Sequence, residues 1–402
     1  MSEKNNKTLN PGWRRVKFGD VVRLSKGRSQ EPQADGYDRF VGLEHLEPGD
    51  LRIRRWGNVA DGVTFTSVFQ PGQVLFGKRR AYQRKVAVAD FSGVCSGDIY
   101  VLETKDAQDL IPELLPFICQ TDAFFDYAVS TSAGSLSPRT NWKSLADFEF
   151  SLPPKNQQQR ILGLMRGIES SIQELGLAQL ALHKLRVSLA VEKFAENGIR
   201  HLKPCAELIS SGRLTLQTGP FGTVLKASAY KAEGIPVINP VNMKDGVLEV
   251  DDGPFIGAED WQRLEKYWME TGDMVMGRKG DMSNLIYVQP EYDKYLVGSD
   301  CIRFRVKADE IDPRYFFHFL RSEVTQNWIQ GQAYGTVMPG INEKILGRLK
   351  VHIPIISVQK EIAVEFDEIE SSLLAIKQRH NNTQLLKHKA LRSVLGGDSH
   401  VQ

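Results

Sequence analysis

Two stretches of this chain interleave cationic and aromatic side chains at a spacing suited to nucleic acid. Arg52, Arg54, Arg55 and Trp56 form one; Lys78, Arg79, Arg80, Tyr82, Arg84 and Lys85 form the other, just after Gly77. Between Asp50 and Asp90 eight Lys or Arg stand against three acids. Arginine pairs bidentately with guanine in the major groove, while lysine holds phosphates. Aromatics among them stack or pack against sugars. A solvated charged face is the ordinary fate of such a run. Recurrence argues otherwise: Arg278 and Lys279 follow Gly277 at the matching place, with Arg263, Lys266, Tyr267 and Trp268 upstream. Lys226 closes a polar loop from Ser211 containing Gly219-Pro220-Phe221-Gly222, readable as a contact loop or as plain turns.

No catalytic constellation accompanies these clusters. The chain lacks a Walker loop, a Gly-x-Gly-x-x-Gly turn between strand and helix, and a His-Glu-x-x-His pair. Asn239-Pro240-Val241-Asn242 faintly resembles the Asn-Pro-Pro-aromatic motif of adenine methyltransferases, without the second proline or the stacking aromatic. Asp90 with Glu103-Thr104-Lys105 loosely fits the acid-and-lysine pattern of metal-dependent nucleases. Its counterpart, Val306-Lys307-Ala308, has no acid, so a surface strand end is the better explanation. Cys95, Cys119, Cys205 and Cys301 lie far apart, and the eight histidines share no ligand spacing. No catalytic residue, metal site or bound cofactor is therefore expected.

The elements that would position the clusters are written twice. Gly134-Ser135, Leu152-Pro153-Pro154, Gln158 and Ile161 are matched by Gly335-Thr336, Ile353-Pro354, Gln359 and Ile362, at an offset of 201. Phe40-Val41 parallels Val237-Ile238, the 71–77 segment parallels 271–277, and Ser96–Ile99 parallels Ser299–Ile302. Short strands with turn signals, plus one helical stretch near Leu110–Val129 and another at Pro313–Ile329, make each half α/β or α+β. A long helix follows each half. Ile161, Ile168, Leu175, Leu182 and Leu189 recur every seven residues, with Leu164, Ala178 and Leu185 between them. Ile362, Phe366, Ile369, Leu373 and Ile376 form the second seam; His380, Thr383 and Lys387 interrupt it before Ala390 and Val394. Heptads of this kind predict a coiled coil. The expectation is two similar domains and two helices of roughly 35 residues, about 50 Å each, pairing antiparallel as a pseudo-twofold dumbbell. Packing of each helix on its own domain is the rival. Boundaries are expected at 1–152, 153–197, 198–352 and 353–402.

At 402 residues, 41% hydrophobic and 25% charged, the composition is ordinary globular. A net charge of +2 is low for a protein that neutralises phosphates alone, so the basic patches are local or other subunits supply charge. The polar amino terminus and the lack of an 18-residue apolar run predict no membrane association and a cytoplasmic location.

The segment from Leu152-Pro153-Pro154 to Gln158-Gln159-Arg160-Ile161, heading a heptad helix, resembles the repeated conserved region of type I restriction-modification specificity (S) subunits. Ile353-Pro354 through Gln359 and Ile362 is a degenerate second copy, with Ile355 for the second proline and Val358 before Gln359. The resemblance covers essentially the whole chain. It implies two target-recognition domains, each reading one half of a bipartite double-stranded DNA site, with the helices as a ruler. It also implies docking of two methyltransferase (M) subunits, which carry S-adenosylmethionine, and of restriction (R) subunits using ATP and magnesium. Pro153, Gln158, Ile161, Pro354, Gln359 and Ile362 are the expected docking residues. The same resemblance fits an S subunit of a fused restriction system. A nuclease or methyltransferase in its own right, or a coiled-coil scaffold that does not bind DNA, are the readings from other classes.

Overall fold

The computed structural model describes residues 10–195, 202–244, 246–250, 253–333 and 340–395. Gly335 and Thr336, one end of the repeated segment, lie outside them. The chain divides into two compact units, residues 1–176 with 378–402, and residues 177–377.

In the first unit, one four-stranded sheet has the order Val22–Leu24, Ile99–Thr104, Val74–Gly77, Val86–Val88. A second is ordered Gly57–Asn58, Arg39–Val41, Gly93–Cys95, Ser67–Phe69, with Phe40 and Val94 paired in parallel. Arg14–Lys17 pairs antiparallel with Glu149–Leu152, which brings the end of the globular half to the start of the long helix. The second unit repeats the plan. Leu214–Thr218, Cys301–Val306, Met274–Gly277 and Leu285–Tyr287 form the matching sheet. Val237 and Leu296 make the matching parallel pair, and Leu202–Pro204 pairs with Lys350–His352. All four residues of Val74–Gly77 and of Met274–Gly277 are buried, as expected of central strands covered on both faces.

The single helical stretch expected in each half is two helices. Leu115–Cys119 and Asp122–Ser130 break at Thr121, whose side chain accepts from Phe124 N–H. Pro313–Arg321 and Glu323–Gln332 break at Ser322, which caps Thr325 N–H in the same way. A hydroxyl that satisfies an orphan amide starts a new helix where the apolar pattern alone reads as continuous.

The long helices run Lys155–Phe194 and Ile356–Val394, at 40 and 39 residues. Within the first unit Ile161, Leu162, Met165 and Ile168 join the domain core together with Ala390, Leu391 and Leu395. Within the second, Ala190 and Phe194 share a core with Ile362, Ala363 and Phe366, and Phe194 stacks on Phe366 at 5.3 Å. There Arg186 meets Glu370 at 3.0 Å and Lys193 meets Glu365 at 3.9 Å, so the two stretches run antiparallel. The seam differs from the expected one: Leu164 and Leu185 are 49% and 53% exposed, and Met165 is fully buried instead. A helix packed on its own domain as well as on a partner helix buries a face set by both, not by heptad count. Lys387, expected to interrupt the seam, is buried in it; its ammonium pairs with Glu169 at 2.6 Å and donates to the Gly49 carbonyl at 3.1 Å.

Candidate nucleic-acid interface

The loop after Gly77 is positioned by the buried strand before it. A Cβ on Gly77 would lie 2.9 Å from Leu43 Cδ2, and one on Gly277 would lie 3.0 Å from the Asp281 carbonyl oxygen. A side chain at either place would therefore have to displace a neighbour, the Leu43 side chain in one case and the Asp281 backbone in the other. From there Arg80 and Arg84 take left-handed φ values of 53° and 56°, bracketing a turn whose Ala81 is buried and whose Tyr82 is 55% exposed. Backbone hydrogen bonds fix the loop: Lys78 N–H to Asp98 O (3.0 Å), Arg80 N–H to Pro138 O (2.7 Å) and Thr140 N–H to Lys78 O (3.0 Å). The second unit repeats them with Arg278 N–H to Asp300 O (2.8 Å) and Ile341 N–H to Arg278 O (2.9 Å).

Side chains converge on the first loop. Asp98 accepts from Arg139 Nε at 2.7 Å and from Arg79 Nη1 at 3.2 Å. Burial alone would raise its carboxyl pKa, but the hydrogen bonds from Arg139 and Arg79 outweigh that and hold it below the usual carboxylate range. Ser137 Oγ accepts from Arg79 and Arg80 at 3.0 and 3.2 Å, and the Lys78 ammonium lies 4.6 Å from the Tyr100 ring centre. Lys78, Arg79, Arg80 and Arg139 thus form a cationic ridge around one carboxylate, presenting Tyr82. In the second unit Lys279 pairs with Asp300 at 2.7 Å and Arg278 Nε donates to Ser299 O at 2.8 Å. Such a ridge, held rigid by backbone and side-chain bonds, suits phosphates and base edges.

The other expected cations are placed differently. Arg84 pairs with Asp122 and lies 4.8 Å from the Phe125 ring centre, and the Lys85 ammonium donates to Leu43 O at 2.7 Å. Both brace the loop from inside. Arg52 donates to Gln173 on the long helix, while Arg54 and Arg55 pair at 2.5 Å with Asp50 and Glu47. Trp56 packs on Phe91, with the Arg39 guanidinium 4.3 Å from its ring. No described contact joins these residues to the ridge. Lys226 is exposed, and Phe221, earlier in the same loop, is 63% exposed. Arg139, Ser137 and Asp98 escaped the sequence reading; of Ser137-Pro138-Arg139 only the proline recurs at the 201-residue offset, as Pro339, so recurrence does not mark the two side chains.

The expected docking residues face inward. Gln158 and Gln359 are 1% and 0% exposed. Gln158 accepts from Ile111 N–H and donates to Asp109 O and Pro153 O; Gln359 does the same with Asp312, Glu310 and Pro354. Ile161 and Ile362 are each 7% exposed, Pro153 is buried and Pro354 half-buried. The motif is a hook that fastens each helix to the domain before it. The polar atoms of these glutamines and most of the apolar surface of these isoleucines are thus engaged within the chain.

Among the described residues no group of His, Cys, Asp and Glu could hold a metal ion. All four cysteines are buried; burial pushes the Cys95 and Cys205 thiols up to about 12, far from nucleophilic at neutral pH. Asn239–Asn242 is a turn, with Asn242 Oδ1 accepting from Asn239 N–H at 3.0 Å and Nδ2 bound to Glu249 O. Glu103 pairs with Arg23 at 2.7 Å, as a strand-end surface acid does. Among the described residues no helix is long and apolar enough to cross a membrane.

The family model described as type I restriction modification DNA specificity domain matches residues 10–175 and again 222–387. The MjaVIII type I restriction enzyme specificity subunit of Methanocaldococcus jannaschii is 18% identical, over 97% of this chain and 93% of that protein. A solved chain from a study of type I R-M complex assembly superposes with a TM-score of 0.61, at 18% identity, over 98% of this chain and all of that one. The type I restriction-modification S subunit from M. genitalium superposes at 0.58, with 14% identity and 99% of each chain covered. The last two likenesses establish the fold.

Proposed function

The chain belongs to the type I restriction-modification DNA specificity family, and on that premise we propose that it is a non-catalytic subunit reading a bipartite double-stranded DNA target. Each of its two recognition domains would take one half-site, with boundaries near 1–152 and 198–352 and the helical segments 153–197 and 353–402 between and after them. Methyltransferase subunits, two per chain, supply S-adenosylmethionine and the methyl-transfer site, and restriction subunits supply ATP-driven, magnesium-dependent cleavage. Exposed positions on the long helices, not the buried hook, make the docking surface.

The observation that carries this reading is the ridge of Lys78, Arg79, Arg80 and Arg139, with its counterpart at Arg278 and Lys279. Both follow a buried strand that ends in a closely packed glycine. One construction used twice suits two short blocks of base pairs better than a continuous site. Co-expression with the methyltransferase subunit, followed by mapping of methylated adenines, tests it. Two short blocks with a fixed unspecified gap are expected. Methylation at one continuous block, or none from an intact complex supplied with cofactor, would overturn it.

A further inference from the structure

At the 201-residue offset the two helix-to-domain junctions coincide, and two sets of polar contacts repeat. The glutamine hooks make the same three bonds at both. The ion pairs between helical stretches also keep their polarity. Glu169 meets Lys387 in the first unit, and Glu370, the match of Glu169, meets Arg186, the match of Lys387, in the second.

One contact is reversed. In the first unit Arg166 on the helix pairs with Glu113 on the globular domain at 3.3 Å. In the second the helix position is Asp367 and the domain position is Arg314, and these pair as well. His318, which stands where the first domain has Phe117, lies 2.7 Å from the same Asp367 oxygen and is 3% exposed. Burial would raise the Asp367 carboxyl pKa, but His318 and Arg314 together hold it down.

We infer that this inverted pair encodes which globular domain sits on which helix. The hook and the interhelical pairs are alike in both copies and cannot discriminate between them. The inverted pair does: the second domain on the first helix would set Arg314 against Arg166, and the first domain on the second helix would set Glu113 against Asp367. Each domain fits the helix that follows it and meets a like charge on the other. Like charges held at one contact disfavour the wrong partner even where the correct pair, half-exposed as Arg166 and Glu113 are, contributes little by itself. The inference does not depend on what the domains bind.

The test is a graft in the full chain that replaces residues 155–172 by a copy of 356–373. The hook glutamine and the match of Glu169 are retained, while an aspartate arrives opposite Glu113. Glu113→Arg is expected to lower the unfolding midpoint of the natural chain by about 2 °C and to raise that of the graft by a similar amount. The same sign in both backgrounds would overturn the inference. Should the graft fail to fold, Arg166→Asp in the otherwise natural chain reads the same coupling. Glu113→Arg should then recover the midpoint that Arg166→Asp loses, and no recovery would equally overturn it.

Discussion

Gln158 and Gln359 show how a residue read correctly as part of a motif acquires its role only from its surroundings. The sequence marks them by recurrence; the fold buries both amides and directs each to three backbone partners. Gln158→Ala strands the Ile111 amide and the Asp109 and Pro153 carbonyls. It should destabilise the first unit by about 1–3 kcal/mol, the cost of buried groups left unsatisfied. Denaturant unfolding measures this, and an unchanged midpoint would show the hook to be dispensable. The basic cluster divides in a comparable way. Arg79 and Arg80 stay on the ridge beside Ser137, whereas Lys85 turns inward to Leu43 O. Arg80→Ala should weaken methylation at one half-site and leave the other block unchanged, whereas Lys85→Ala should act chiefly on stability. Equal loss on unrelated duplexes from Arg80→Ala would mark it as a phosphate contact.

At the scale of elements, the apolar repeat announces the long helices but not which of their faces is covered. Heptad spacing favours Leu164, yet Met165 is buried, because the helix must serve its own domain and a neighbouring helix at once. Lys387 reads as a break in the seam and is instead held inside it by Glu169. Removing Glu169 leaves the buried Lys387 ammonium without its counter-charge, so Glu169→Ala should cost about 3 kcal/mol, read by chemical denaturation, and Lys387→Ala should cost less, because the Glu169 side chain is 26% exposed. Additive losses in the double variant would show the two are uncoupled. Under the proposed function, four residues inserted in both helices add about 6 Å, nearly two base-pair steps at roughly 3.4 Å. Methylome mapping should then report a longer gap between unaltered half-sites; an altered half-site would count against the helices as spacers.

At the scale of the molecule, acid stability follows from carboxylates held low in both units. Asp98 and Asp367 have pKa values below the ordinary 3.8 despite burial, because arginines, and for Asp367 also His318, hydrogen-bond to them. A carboxyl depressed in the folded state stabilises fully above its unfolded value and loses that contribution as pH falls through the folded one. Thermal midpoints should therefore hold steady down to about pH 5 and fall below about pH 4. Asp98→Asn should flatten the acid limb, and a limb as steep as that of the natural chain would assign the loss elsewhere. The duplication, the mixed α/β class, the two long helices and the family were legible in the sequence alone. The first three rest on apolar periodicity or on motif recurrence at a fixed offset, and the family on the resemblance of the Leu152–Ile161 segment to a known conserved region; all of these survive in one dimension. The tertiary structure alone decided that the recurring glutamines fasten each helix to the domain before it, and that Arg139 and Ser137 complete the ridge. It also showed that position 113 with 166, and position 314 with 367, carry opposite polarity across equivalent contacts. Such pairings depend on which side chains the folded backbone brings within a few ångströms, and residue spacing along the chain does not encode that distance.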